Sequence, residues 1–177
     1  MGGKPKTTRR SGCPVSISLE IFGDRWSLLI IRDLMVRGFR SFKEFQSSGE
    51  GIATNILSDR LRRLEAAGII RDEAEAEDKR RVNYWLTEKG IDLAPLLLDL
   101  LIWGSRHEET AAPSALIEEM ADKREQILAE VRRRWEARDP TPLLPWLSGG
   151  QPEAAVRLRG KRGQSLKHQE NSSRRMR

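Results

Sequence analysis

The stretch GIATNILSDRLRRLEAAGII, residues 51–70, constrains the fold more than any other part of the chain. Leu57, Leu61 and Leu64 recur at the repeat of a single helical face, so the segment reads as an amphipathic helix over about 53–67 whose leucines need a core to lie on. Gly68 suits the left-handed residue that stops such a helix, and Ile69 and Ile70 then open a β-prone run. The opposite face is left with Thr54, Asn55, Ser58, Asp59 and Arg62, flanked by Arg60 and Arg63.

The neighbouring segments say what that polar face belongs to. A short helix is expected over 15–22. Asp24 then stands in N-cap position for RWSLLIIRDLMVRG, a helix apolar nearly all round (Trp26, Leu28, Leu29, Ile30, Ile31, Leu34, Met35) and therefore central, with Gly38 as its stop. Ser41 and Glu44 form a capping box that opens a short helix carrying Phe42 and Phe45, and SSGEG makes the turn into the amphipathic helix. After it come two β-prone runs. In the second, Val82, Tyr84 and Leu86 alternate with Asn83, Trp85 and Thr87, and EDKRR forms the charged hairpin tip. Thr87 caps a long helix running to about His107, kinked by Pro95. A second helix, about 113–138, bears the stripe Leu116, Ile117, Met120, Ile127, Leu128, Val131 and Trp135, and DPTPLLPW breaks it. The fold class is mainly α with a small β-hairpin (α+β): a winged helix-turn-helix followed by additional C-terminal helices.

Charge divides the chain further. Residues 1–12 hold four cations (Lys4, Lys6, Arg9, Arg10) and no acid, and residues 148–177 hold eight cations against Glu153 and Glu170. The net charge of +6 is therefore carried by the ends, and residues 13–147 are left at −4. The expected organisation is a disordered basic arm at 1–12, the winged domain at 13–107, a helical extension for dimerisation at 108–147, and a disordered basic tail at 148–177. Bulk charge is thus no argument for nucleic-acid binding; only a local arrangement is.

Several function classes drop out. No run approaches the roughly 18 apolar residues a membrane span needs, and LAPLLLDLLIWG is interrupted by Asp99. No apolar stretch follows the basic N-terminus as in a secretory signal, and Lys6 stands where a myristoylation signal wants Ser or Thr. A lone Cys13 forms no internal disulfide, so the reading is a soluble cytoplasmic protein with no membrane partner. His107 and His168 lack companions at metal-ligand spacing, so no metal or other cofactor is expected. Cys13 has no His or acid partner nearby and no Gly-rich phosphate loop is present, which argues against an enzyme.

What remains is a DNA reader. A helix of this length fits the ~12 Å major groove, and Thr54, Asn55 and Ser58 can hydrogen-bond base edges or phosphates. Ser41, Arg60, Arg62 and Arg63 join the DNA-facing set, Arg60 and Arg62 as phosphate contacts. Asp59 pairs with Arg62 or Arg63, or accepts from a cytosine amine. Lys79, Arg80 and Arg81 on the wing reach the backbone or an adjacent minor groove. Leu96, Leu97, Leu100, Leu101 and Trp103 make a stripe that a single copy would expose, which points to a dimer interface shared with the 113–138 helix. Cys13 lies between Arg9, Arg10 and a helix N-terminus, surroundings that favour the reactive thiolate, so it is a redox-sensor candidate as well as a small packing residue.

From Cys13 to about His107 the chain resembles the HxlR family of bacterial transcriptional regulators, relatives of the MarR type. The marks are the Cys-Pro start, Gly-Asp-Arg-Trp before the central helix, Arg32-Asp33-Leu34, Phe42 in an F-x-E-F helix, LSDRLRRLEAAG, and LTEKG after the wing. The wing segment DKRRVNY is closer to the MarR pattern. The resemblance implies homodimers on a two-fold operator, joined through their terminal helices. It also implies that a cysteine at the position of Cys13 serves some members as a sensor of electrophiles such as aldehydes and quinones, or of oxidants. The expected function is a sequence-specific, double-stranded-DNA-binding repressor. The alternative is a winged-helix protein-interaction module whose basic tails bind nucleic acid nonspecifically.

Overall fold

Asp24 decides where the central helix begins. In the computed structural model, which describes residues 11–75, 78 and 81–144, its carboxylate accepts from the backbone N–H groups of Trp26 and Ser27 at 3.0 and 3.1 Å and from the Ser27 hydroxyl at 2.6 Å. Those amides have no partner within the helix, so the cap is what satisfies them. α1 (Pro14–Phe22) precedes this point and α2 (Arg25–Arg32) follows it. Ile30, Ile31 and Leu34 are buried, whereas Trp26, Leu28, Leu29 and Met35 are half-buried at the margins of the core. The helix does not run evenly to Gly38. Its last turn widens into a π-helix, Asp33–Arg37, which buries Asp33 and Arg37 together, and Gly38 at φ 75° then ends it.

α3 (Phe42–Gln46) opens with the expected capping box: the Ser41 hydroxyl accepts from the Glu44 N–H, and the Glu44 carboxylate accepts from the Ser41 N–H at 2.7 Å. α4 (Thr54–Ala66) lies within a residue of the expected bounds at each end and buries Leu57, Leu61 and Leu64. It stops as anticipated at Gly68, φ 69°. The Gly68 N–H donates to the Glu65 carbonyl at 2.8 Å and the Ile69 N–H to the Leu64 carbonyl at 2.9 Å, the paired bonds of a Schellman ending.

β1 (Ile70–Ala74) pairs antiparallel with β2 (Val82–Leu86), Ile70 opposite Leu86 and Ala74 opposite Val82. A two-stranded hairpin is marginal alone. This one is anchored where the Tyr84 N–H donates to the Arg40 carbonyl at 2.7 Å, and where the Tyr84 ring meets Phe45 at 6.1 Å between centroids.

The C-terminal half departs from expectation twice. The long kinked helix is in fact two, α5 (Glu88–Ile91) and α6 (Ala94–His107). Pro95 has no N–H to give, and its ring would crowd the Ile91 carbonyl, so the chain turns and restarts with proline in the new first turn. Thr87 does cap the first piece, accepting from the Gly90 N–H at 3.1 Å. The helix expected over 113–138 is likewise split, into α7 (Ser114–Asp122) and α8 (Arg124–Glu136), at Lys123. No glycine or proline marks that break, so packing sets it.

Packing accounts for part of the stripe expected on the extension. Ile117, Met120, Ile127 and Val131 are buried inside the chain, in one core cluster with Leu98 and Ile102 of α6 and with Leu143 and Leu144. Those four side chains are covered within one copy. The outer side of α6 differs: Leu96, Leu100 and Trp103 stay 37%, 45% and 56% exposed, with Leu97 and Leu101 half-buried behind them. α1, which buries none of its residues, leaves Val15 and Leu19 open. Among the described residues no helix is long and apolar enough to cross a membrane.

Burial pushes the Asp24 carboxyl up, but the Ser27 hydrogen bonds, the Arg60 charge and the Trp26 N–H outweigh it and hold it below its ordinary value. A carboxyl depressed in the folded state contributes stability above its unfolded pKa and loses it as pH falls through the folded one. Asp24→Ala should therefore cost about 1–2 kcal/mol near neutral pH. The gap to wild type should narrow as pH falls below the ordinary carboxyl range, as read by urea unfolding at neutral and acid pH.

Candidate nucleic-acid interface

The angle of α4 is fixed from beneath by charge. Asp33 lies 2.7 Å from Arg32 and 3.2 Å from Arg37; Arg32 reaches on to Glu50 at 2.9 Å, and Arg37 donates to the Ser48 carbonyl at 3.0 Å. These contacts tie the π turn to the loop between α3 and α4, where Gly49 and Gly51 adopt φ 85° and 72°. Burial pushes the Asp33 carboxyl up, against the pull of Arg32 and Arg37. Such a network resists removal of one partner, because the other is left charged and dry. Sequence reasoning noticed Arg32 and Asp33 only as family marks and missed Arg37 and Glu50. The available signal was the i,i+4 spacing of Asp33 and Arg37 in an otherwise apolar helix.

With the leucines turned inward, α4 presents Thr54, Asn55, Ser58 and Arg62 to the outside, all exposed. Among the described residues Arg62 makes no ion pair. Ala53, at the N-cap, supplies no side-chain hydrogen bond to the first turn, so the leading N–H groups of α4 remain open to an anion. This surface offers short donors and acceptors and one long cation.

Arg60 and Arg63 are engaged within the chain. The Arg60 guanidinium is only 20% exposed and sits 3.3 Å from Asp24 and 3.7 Å from Asp59. It thus lies against the cap of α2, whereas the sequence made it a phosphate contact. Arg63 is exposed and pairs with Asp59 at 2.9 Å, which resolves the expected Asp59 pairing in favour of Arg63. Ser41 is half-buried, and its hydroxyl is engaged by Glu44 at 2.8 Å. On the wing, Arg81 is exposed, 3.9 Å from Glu75 and 3.8 Å from Asp78. Lys79 and Arg80 fall outside the described residues, as do most of the basic arm and the whole tail at 148–177. Cys13 is exposed, stands immediately before α1, and donates its N–H to the Ser11 hydroxyl at 3.0 Å.

Comparison with known proteins gives this arrangement its relatives. The profile of the HxlR-like helix-turn-helix family matches residues 21–112. The uncharacterized HTH-type transcriptional regulator YybR of Bacillus subtilis is 33% identical over 100 residues, covering 56% of this chain and 79% of that protein. Among solved structures, PA1607, a candidate transcription factor, is 40% identical, with a TM-score of 0.53 over 60% of this chain and 72% of its own. The redox regulator HypR in its oxidized form is 32% identical, with a TM-score of 0.50 over 55% of this chain and all of its own.

The two arginines should separate in an unfolding measurement. Arg60→Ala should cost about 1 kcal/mol, having a partly buried partner in Asp24. Arg62→Ala should stay within about 0.5 kcal/mol of wild type. Equal effects would contradict the placement of Arg60 against α2.

Proposed function

The chain belongs to the HxlR-like helix-turn-helix family of DNA-binding transcriptional regulators, and from that premise we propose that it is a sequence-specific, homodimeric repressor. The observation that carries the reading is the outer face of α4, where Thr54, Asn55, Ser58 and Arg62 stand exposed on one side of a helix whose other side is locked into the core. Asn55 and Ser58 read base edges in the major groove; Arg62 and the open N–H groups of the first turn hold phosphates. Lys79, Arg80 and Arg81 bring the wing to the flanking backbone. Arg60 holds α4 against the cap of α2 through Asp24, and Asp59 pairs with Arg63 along α4 itself.

Dimerisation uses the outer side of α6, with Leu96, Leu100 and Trp103, together with Val15 and Leu19 of α1. Among the described residues those side chains are the large apolar groups left exposed, and pairing two copies removes them from water. A two-fold dimer places its reading helices about 34–36 Å apart, or at a multiple of that spacing. The arm at 1–12 and the tail at 148–177 add sequence-independent attraction to phosphates.

Cys13 is the sensing residue in this reading. It is exposed at the start of α1, beside the proposed interface, and HypR, a relative by sequence and fold, is a redox regulator. Two Cys13 thiols from paired copies would lose two protons and two electrons to an oxidant and form one disulfide. The link would rotate the subunits and misplace one reading helix.

Two measurements test these assignments. Asn55→Ala and Ser58→Ala should each cost about 1–3 kcal/mol at one base pair and relax preference there, while Arg62→Ala weakens all duplexes alike and lowers the salt slope by about one. Uniform loss from all three would overturn the reading of α4. For the sensor, diamide should reduce the DNA affinity of wild type, reversibly with reductant, and leave Cys13→Ser unaffected; a Cys13→Ser protein that responds equally would make Cys13 a packing residue.

A further inference from the structure

The outer face of the wing is covered by a part of the chain that lies beyond the family match. From the last turn of α8 the chain doubles back along residues 135–144. Arg138 takes a positive φ of 50°, the only described non-glycine residue to do so, a conformation that persists only where surroundings hold it. What sets it is the Schellman ending of α8, in which the Arg138 N–H donates to the Trp135 carbonyl at 3.1 Å and the Asp139 N–H to the Arg134 carbonyl at 2.9 Å; the side chain then projects onto the wing. The Arg138 guanidinium grips Glu73 of β1 through two bonds of 3.0 Å and lies 4.9 Å from the ring centroid of Trp85 on β2. Arg40, fixed to the Leu34 and Phe39 carbonyls at 2.7 Å each, lies over the same ring at 4.6 Å.

The segment is itself tied down at both ends. Trp135 donates its indole N–H to the Leu86 carbonyl at 2.8 Å, at the base of β2. At the far end the Leu143 N–H donates to the Val36 carbonyl at 2.7 Å, and Leu143 and Leu144 are buried. In between, the Pro140 carbonyl passes so close to Gly38 that a Cβ there would sit 2.1 Å from its oxygen. The hairpin is thus gripped on both faces, by Phe45 and the core on one side and by this strap on the other.

We propose that residues 135–144 form a strap that sets the tilt of the wing, with Arg138 as a positioning residue for the wing's contacts to the DNA backbone. The proposal rests on the reading that the wing touches DNA. Its physical basis is leverage. Strands of this length extend about 17 Å, so a tilt of about 10° at the base carries the tip about 3 Å, the difference between a phosphate contact and none. The family profile ends at residue 112, so the strap lies outside the part of the chain that the family profile matches. Glu73 is suited to the role: the Arg138 hydrogen bonds, ahead of those from Arg71, hold its carboxyl below the ordinary range.

The test is a double-mutant cycle on the full chain with one duplex of about 30 base pairs and mixed sequence, since backbone contacts do not depend on sequence. Arg138→Ala should weaken binding about three- to tenfold and speed amide exchange in β1 and β2 while leaving α4 unchanged. A wing variant with Lys79, Arg80 and Arg81 all changed to Ala should also bind more weakly, with a smaller salt slope. Adding Arg138→Ala to that variant should change nothing further, because a tilted wing without cations has no contact left to lose. Arg138→Asn, which tolerates the backbone conformation, should behave like Arg138→Ala. Independent losses that simply multiply, or exchange in the hairpin that ignores Arg138, would overturn the strap. A wing variant that binds as well as wild type would instead overturn the wing reading, and with it any role for Arg138 in binding, whatever the exchange shows of the clamp.

Discussion

Three leucines on a helix of 13 residues organise everything else. Burying Leu57, Leu61 and Leu64 is worth on the order of 2 kcal/mol each, and the helical repeat then leaves no choice about what faces outward. Asn55 and Ser58 are exposed because Leu57 and Leu61 are not. The chain thereby couples its stability to the direction of its polar face: α4 cannot rotate to hide Arg62 without lifting its leucines from the core. The Schellman ending at Gly68 adds a second constraint, since it delivers Ile69 and Ile70 into the same core and starts the wing at a fixed distance from the reading face.

Charges that look alike in the sequence divide between two tasks. Arg32, Arg37 and Arg60 are turned inward onto Asp33, Glu50 and Asp24, where they fix the helices relative to one another. Arg62 and Arg81 stay outside. The inward set lies in or next to the turns that any movement of α4 would have to open, so the angle between α2, α3 and α4 is held by directional contacts as well as by packing. Arg40 and Arg138 extend the same device to the hairpin, with Trp85 as the common anchor.

Much of this was legible from residues alone. Local signals with a single physical meaning held: Asp24 as a cap, the Ser41–Glu44 box, Gly38 and Gly68 as left-handed stops, and the alternation that makes 82–86 a strand. The winged helix-turn-helix order followed from them, and it placed Thr54, Asn55, Ser58 and Arg62 on the exposed face. What escaped were choices made by tertiary contact. Whether Arg60 looks toward solvent or toward Asp24 depends on where α2 lies, which periodicity cannot tell. The break at Lys123 carries no breaker residue. Which surface covers the buried part of the stripe of α7 and α8 is likewise a tertiary matter, since sequence shows only that a face is apolar. The grip of Arg138 on Glu73 spans 65 positions and leaves no local trace at all.

The central claim is that α4 reads a sequence on duplex DNA, and selection from a random duplex pool with the full chain tests it most directly. The account predicts an enriched two-fold consensus with half-sites about one helical turn apart or a multiple of it, and its loss when Thr54, Asn55, Ser58 and Arg62 are all replaced by alanine in a protein that still folds. A pool that shows no enrichment, or a consensus that survives those four substitutions, would contradict it.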